Sequence, residues 1–193
     1  MSALRAAACA GCASLALACA GHVDHFYTLS TKPAAGGGPA PTISQTFAAQ
    51  VILSTSIPPA IDRAEMLIHT SDDQVLILEH DRWAAPLSEL VAQTLARDLE
   101  QRRPGVMVAA RGSGPAISPA INVKVDVVQL SARKSGRAVL EAHWRIVDGD
   151  SDQLGGEIFT APVSGDDYAA VAQAYSACLA SLAERIAEKL TVH

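Results

Sequence analysis

The chain has 193 residues and a mass of 20.1 kDa, which is enough for one ordinary domain and a leader or tail. Hydrophobic residues make up 49% and charged residues 18%, which excludes wholesale disorder, and an aromatic share of only 4% predicts an aliphatic core. The net charge of -5, with no concentrated run of Lys or Arg, argues against a nucleic-acid partner.

The N-terminus is typical of a secretory leader. Arg5 supplies one positive charge, and the apolar run from Ala6 to Ala18, about 13 residues, is shorter than the roughly 20 that span a bilayer. The run ends in ALACAG at 16–21, which resembles the lipobox of bacterial lipoproteins, where small residues precede a cysteine that is lipidated and becomes the mature N-terminus. We expect a signal peptide over 1–18, lipidation of Cys19 and a lipid-anchored tether over 19–25.

The early cysteines have two rival interpretations. Cys9 and Cys12 form a CxxC, and together with Cys19 and two nearby histidines they could be drawn as a metal cluster. A redox CxxC lies between a strand and a helix, and zinc loops carry polar turn residues, whereas these thiols lie in an Ala/Leu run. We therefore expect no metal or cofactor, and Cys178 is expected to be a small core residue without a disulfide partner.

The first part of the mature chain predicts short strands. A strand-like run at 26–29 precedes a Gly- and Pro-rich loop over 31–46, and a β pattern begins at Phe47 and ends near Pro58. Two further runs are separated by the turn residues Thr-Ser-Asp-Asp and predict a hairpin; they are Glu65–His69 and Gln74–Glu79.

Helical periodicity then replaces the β pattern. Apolar side chains recur at helical spacing from Leu87 to Leu99, Pro86 is tolerated in the first turn, and Pro104 with Gly105 provides a stop. A second helix with one long apolar stripe is predicted from Tyr168 to Leu190, with Ser164 as its N-cap and Asp167 three residues on.

Four strands are predicted between the helices. The clearest is Arg137–Ile146, where apolar residues at even positions alternate with polar ones, as in an antiparallel strand with one wetter face. The others are Val106–Ala109, Val123–Val127 and Glu157–Ala161. The predicted fold is α+β: a single domain over 26–193, with a mixed or largely antiparallel sheet and two long helices packed on it.

Catalytic signatures are absent from the sequence: it contains no GxxxxGK[ST], GxGxxG after a strand, GxSxG or HExxH. The carboxylates of DGDSD at 148–152 resemble the start of an EF-hand loop, but Gln153 and Phe159 replace the required Gly and Glu, so a solvated hairpin loop is preferred. His69 and His80 lie on neighbouring predicted strands and could approach, although a structural role is preferred. We expect no catalytic residues.

Two segments carry a resemblance to a known family. These are IDRAEMLIHT at 61–70 and HDRWAAPL at 80–87, which opens a helix, together with FYTL at 26–29 shortly after a cysteine. In this order and spacing they resemble the PqiC/YmbA family, auxiliary lipoproteins of MCE-type (mammalian cell entry) transport systems that move lipids between the membranes of Gram-negative bacteria. The similarity runs from about Phe26 to Leu190.

The resemblance implies a non-enzymatic lipoprotein anchored at the periplasmic face of the outer membrane, with a periplasmic MCE-domain protein as its partner. Ala20 after the cysteine, rather than Asp, agrees with export to the outer membrane under the usual sorting rule for such lipoproteins. A docking or assembly subunit is the leading hypothesis, and a ring of identical subunits would be natural around a transport channel. A periplasmic lipid carrier with an apolar pocket is the alternative, and a periplasmic hydrolase ranks last.

Asp62, Arg63, Arg82 and Trp83 are the candidate site residues, either partner-binding or fold-defining. Arg and Trp are the side chains that most often anchor interfaces. The preferred interpretation is structural: Trp83 covers the sheet edge and Arg82 pairs with Asp62 or Asp81.

Overall fold

The computed structural model of the chain describes residues 23–33, 47–110 and 118–190. The predicted leader of 1–18, Cys19 and most of the predicted 31–46 loop lie outside these ranges. Along the described ranges the elements are β1 (His25–Tyr27), β2 (Ala49–Ser56), β3 (Glu65–His69), β4 (Val75–Trp83), α1 (Leu87–Arg102), β5 (Val106–Ala110), β6 (Ala120–Ala132), β7 (Arg137–Asp148), β8 (Ser151–Pro162) and α2 (Tyr168–Lys189).

The larger sheet has five strands in the order β5-β2-β6-β7-β8. β2 pairs in parallel with β5 and β6, whereas β6, β7 and β8 form an antiparallel meander. The alternation predicted for β7 is present, since the side chains from Ala138 to Ile146 at even positions are buried. The α+β prediction with a mixed sheet and two helices is therefore confirmed.

The remaining strands form a second, three-stranded sheet in the order β1-β4-β3. The hairpin predicted from Glu65 is present as the antiparallel pair β3–β4, and β1 adds to β4 in parallel. The sequence pattern predicted one sheet, because periodicity identifies strands but does not say which distant strands pair. β4 also runs on to Trp83, four residues beyond its predicted end at Glu79.

The two helices pack against each other and against the larger sheet. The apolar stripe of α2 is buried as predicted, and Cys178 is buried within it, with its sulfur 3.7 Å from the carbonyl oxygen of Phe159. Neither helix in the described ranges has a stretch apolar and long enough to cross a bilayer. The fully buried large side chains at this interface include Leu95, Leu99, Leu140, Ile146, Leu179, Leu182 and Ile186.

The N-cap predicted for α2 is wrong. Asp167, not Ser164, has the extended cap conformation, and its carboxylate accepts a hydrogen bond of 2.9 Å from the amide of Ala170. Gly165, at φ +144°, separates Ser164 from the helix. The chain therefore turns after Ser164, and the Asp takes the capping role itself.

The acidic loop after β7 is a tight hairpin connection. β7 ends at Asp148, β8 begins at Ser151, and Gly149 has a positive φ of 55° as such turns require. Asp152 pairs with Arg145 of β7, with 2.8 Å between the guanidinium Nε and the carboxylate. Its carboxylate therefore has a cationic partner, in keeping with the predicted hairpin loop.

Candidate docking site at the three-stranded sheet

Trp83 joins the small sheet to the helices. Its backbone amide donates to the carbonyl of Ala64 over 2.7 Å, and its indole is only 5% exposed. The ring stacks on Tyr175 of α2, with 6.0 Å between centroids and 24° between planes. Offset aromatic stacking adds to the large area that an indole buries. The geometry thus places Trp83 inside the body.

Asp62 lies at the start of α1. The residue at the N-cap position is Pro86, which has no capping side chain, so the first turn needs an acceptor from elsewhere. The Asp62 carboxylate supplies it and accepts from the amide of Ser88 over 3.0 Å, across 26 positions of sequence. A negative charge at a helix N-terminus is also favoured by the helix dipole.

Arg63 and Arg82 converge on Glu65, which the sequence prediction missed. The Nε of Arg63 lies 3.2 Å from one carboxylate oxygen, and an Nη of Arg82 lies 3.3 Å from the other. The prediction that Arg82 pairs with Asp62 or Asp81 is therefore wrong: the β3–β4 register places Glu65 directly opposite Arg82. In the sequence Glu65 lies two positions after Arg63, which was the available signal for that half of the cluster.

The electrostatics of this cluster follow from its contacts. A backbone hydrogen bond, the Arg63 side chain and the charge of Arg82 lower the pKa of the Glu65 carboxyl. The arginine side chains are each 37% exposed, so they remain accessible to a partner while Glu65 orders them. The result is a half-exposed surface with two cations and one carboxylate, the RER cluster of Arg63, Glu65 and Arg82.

Asp81 faces β1 instead. Its carboxylate accepts from the hydroxyl of Tyr27 over 2.8 Å and lies 3.3 Å from Nδ1 of His25. Burial and the Asp81 carboxylate raise the pKa of Tyr27 to about 12. The hydroxyl therefore stays protonated and keeps donating, which fixes β1 along β4.

A surface groove of about 510 Å³ runs beside the RER cluster, lined by residues 62–64 and 83–86. The space behind it is filled: between the small sheet, α1 and α2 the cavity lined by Trp83, Leu87 and Tyr175 measures about 10 Å³. That volume is at the lower limit for a single water. The site is therefore a surface feature on a packed body.

The segment after β1 crosses both helices, which the sequence did not predict. The amide of Ser30 donates to the hydroxyl of Ser176 on α2, and the amide of Lys32 donates to Asp98 on α1, both over 3.0 Å. Asp98 is fully buried, and its second oxygen has no hydrogen-bond partner within the described ranges. Burial raises the pKa of Asp98 to about 6, against the opposing effects of the Lys32 amide and Arg102.

The histidine pair considered from the sequence does not form. His69 lies opposite Val75 at the hairpin tip, whereas His80 lies five residues further along β4 with its Nδ1 3.0 Å from a carboxylate oxygen of Asp24. Among the described residues no group of three His, Cys, Asp or Glu side chains could hold a metal ion.

Comparison with known proteins agrees with this architecture. A family model described as the ABC-type transport auxiliary lipoprotein component matches residues 27–187. The intermembrane transport lipoprotein PqiC of Escherichia coli K12 is 26% identical over 136 residues, 70% of this chain and 66% of that protein. This chain thus spans just under two thirds of the length of the relative that it matches.

Solved structures share the fold. A crystal structure of an uncharacterized protein matches with a TM-score of 0.71 and 19% identity, covering 88% of this chain and 99% of the other. A protein from Xanthomonas campestris matches with a TM-score of 0.59 and 17% identity, covering 83% and 91%.

The family model matches most of this two-helix α+β body. The match identifies the class of protein as an auxiliary component of ABC-type transport. The chain belongs to the family of ABC-type transport auxiliary lipoproteins that includes PqiC. The resemblance inferred from the 61–70 and 80–87 segments is confirmed.

Proposed function

We propose that this protein is an outer-membrane-anchored periplasmic lipoprotein of an MCE-type intermembrane lipid transport system, in which it acts as a docking or assembly subunit. Family membership supports a transport role, and the expected acylation of Cys19 would attach the body to the membrane. Several acyl chains, at roughly 0.8 kcal/mol for each buried methylene, make such an anchor stable. The protein would then act by binding, with no catalytic step of its own.

The observation that carries the proposal is the filled interior. The layer between the helices and the sheets is occupied by aliphatic side chains, and the cavity at its Trp83 end measures about 10 Å³. An acyl chain needs a far larger apolar cavity, of the order of hundreds of Å³. This favours docking over the alternative of a periplasmic lipid carrier.

The four predicted site residues divide into two roles in this proposal. Trp83 and Asp62 define the fold, because one is buried against α2 and the other caps α1. Arg63 and Arg82 are available to a partner, because their guanidinium groups are partly exposed beside the open groove. Arginine is enriched at interfaces, where its planar group pairs with carboxylates and stacks on rings.

The outer edge of the larger sheet supports self-association. β8 is the edge strand of that sheet in the described part of the chain, and its side chains Leu154 and Ile158 are 80% and 60% exposed. An edge strand offers unpaired backbone groups to another chain. A ring of identical subunits around a channel is the assembly that we propose for this edge.

Co-purification tests the docking role. Mature lipoprotein extracted from membranes in mild detergent is expected to retain a periplasmic MCE-domain protein, and the Arg63→Ala, Arg82→Ala double variant is expected to retain less of it. Arg145→Ala is the matched control, because Arg145 is an exposed arginine paired with an aspartate on the other sheet. Equal recovery from all three proteins would reject the RER cluster as the docking site.

Mass spectrometry of the extracted protein separates docking from carriage. The docking proposal expects only the covalently attached acyl chains after the detergent is exchanged. One non-covalently bound phospholipid for each chain would instead support the carrier alternative.

A further inference from the structure

The direction of β1 limits where the membrane anchor lies. β1 runs parallel to β4, with His25 opposite Asp81, so the chain upstream of His25 leads towards Val75, where β4 begins. His25 lies six positions after Cys19, and Asp81 lies six positions after Val75. At about 3.3 Å per residue, each stretch spans about 20 Å when extended. The acylated residue can therefore reach the level of Val75 and no further along β4.

The Val75 end of β4 exposes apolar side chains on both faces of the strand. Val75, Leu76 and Ile77 are consecutive and are 46%, 46% and 41% exposed. Because successive side chains of a strand point to opposite faces, a flat protein partner could cover only one side of this tip. A bilayer interface can surround both sides at once, as it does for other apolar segments held at the membrane surface.

Two further exposed apolar side chains lie on the segment that leads to the anchor. Val23 and Phe26, on the approach to β1 and within it, are 71% and 65% exposed. The exposed apolar surface is thus continuous in sequence with the segment that leads to the anchor.

The charges around the tip are of both signs. The turn between β3 and β4 carries Asp72 and Asp73, and Asp72 is paired with Arg133 of the neighbouring β6–β7 turn. That turn also carries Lys134, which lies over the ring of Tyr168 at 5.0 Å. Mixed charges of this kind predict apolar contact with little dependence on anionic lipid.

We propose that the start of β4, residues 75–77 at the tip end of the β3–β4 hairpin, is a membrane-contact element that enters the interfacial region of the bilayer beside the acyl anchor. The inference rests on the proposed acylation of Cys19, which brings the tip to the membrane. The contact gives the body a fixed orientation, with the β3–β4 tip towards the bilayer.

Tryptophan quenching by lipid tests this contact. Acylated full-length protein carrying Leu76→Trp is reconstituted into vesicles of phosphatidylethanolamine and phosphatidylglycerol that contain brominated phosphatidylcholine. We expect the added tryptophan to lose roughly half or more of its emission, because interfacial segments lie about 5–10 Å deep. The native Trp83 and Trp144 are buried in the body, and the quenching of the parent protein is subtracted as background.

Leu154→Trp is the matched control, since Leu154 is an exposed leucine on β8, far from the hairpin tip along the β7–β8 ladder. The proposal expects no quenching there. Equal quenching at both positions, or quenching at neither, overturns it. Val75→Trp serves as a second variant if Leu76→Trp reduces the yield of folded protein.

Vesicle flotation distinguishes this proposal from the one on which it rests. Protein that floats with the vesicles but shows no quenching at residue 76 retains its anchor and lacks the hairpin contact. Protein that does not float, with an unmodified Cys19 by mass spectrometry, contradicts the anchored function itself. A blue shift of the Leu76→Trp variant without vesicles would show that another copy of the chain covers the tip, and would also overturn the membrane contact.

Discussion

The two sheets of this protein are built in contrasting ways. The five-stranded sheet buries one whole face under two helices, and its interface is filled by aliphatic side chains. The three-stranded sheet is short, exposes three consecutive apolar residues at its tip and has a cluster of two arginines and a glutamate at its other end. The larger sheet thus forms most of the packed core, and the smaller sheet carries the surfaces that we propose for docking and for membrane contact.

The largest effect is expected from removing the residue that joins the smaller sheet to the helices. Trp83→Ala is expected to cost about 3 to 5 kcal/mol of unfolding free energy, because it leaves a large cavity against Tyr175. Urea denaturation followed by circular dichroism measures it. Phe26→Ala, in the exposed part of the same sheet, is the control and is expected to change stability by less than about 0.5 kcal/mol. Similar costs for the two variants would show that Trp83 does not join the layers.

The helix layer is expected to show an unusual pH dependence. The pKa of Asp98 in the folded protein is about 6, against 3.8 for an unperturbed carboxyl, so the folded state binds this proton more tightly. The contribution of Asp98 to stability is therefore greatest below pH 4 and is lost as the pH rises through about 6, by about 3 kcal/mol.

Asp98→Asn isolates that effect, because the amide resembles the protonated carboxyl at every pH. The unfolding free energies of parent and variant should be similar at pH 4. As the pH rises to 7, the unfolding free energy of the variant should increasingly exceed that of the parent. The difference between the two proteins excludes the titration of other carboxylates. A difference that stays constant with pH would contradict the raised pKa.

The packing of the larger sheet is tested at two adjacent glycines of β8. A Cβ at Gly155 would lie 2.5 Å from the indole of Trp144, which is held in the core, so Gly155→Ala is expected to cost about 1 to 3 kcal/mol. A Cβ at Gly156 would meet the exposed ring of His143 at 2.6 Å, and that ring can rotate away. Thermal unfolding should therefore show a smaller loss for Gly156→Ala, and the reverse order would contradict this account of the packing.

The smallest effect is expected at the cap of α1. Asp62→Ala should cost about 1 kcal/mol, as the loss of other N-terminal caps does, whereas Asp62→Asn retains an acceptor for the Ser88 amide and should cost less. Ser164→Ala is the control, because Asp167 and not Ser164 caps α2. If Ser164→Ala were as costly as Asp62→Ala, the capping assignments would be wrong.

Local patterns predicted most of the elements. The alternation in β7 and the stripe of α2 follow from periods of two and 3.6 residues, which sequence displays directly. The separate three-stranded sheet could not be predicted, because its β1–β4 pairing joins residues more than fifty positions apart. Long-range pairing of that kind is decided by tertiary contacts and leaves no local period.

The candidate site was only partly predicted, because some of its contacts also depend on long-range pairing. Arg63, Arg82 and Trp83 stand out by residue type, whereas the role of Glu65 depends on the register of a hairpin. The cap supplied by Asp62 depends on a contact across 26 residues, which no local pattern displays. The pairing of Asp98 with Arg102, four residues on, is visible in the sequence, whereas its hydrogen bond from the amide of Lys32 depends on a distant segment and gave no signal.

Fatty-acid labelling of cells tests the central claim most directly, because docking, orientation and membrane contact all depend on an acylated N-terminus. Parent protein and Cys12→Ala are expected to incorporate the label, and Cys19→Ala is expected to incorporate none while retaining an uncleaved leader. Label that persists in Cys19→Ala, or parent protein found unlabelled in the cytosol with residues 1–18 attached, would contradict the account.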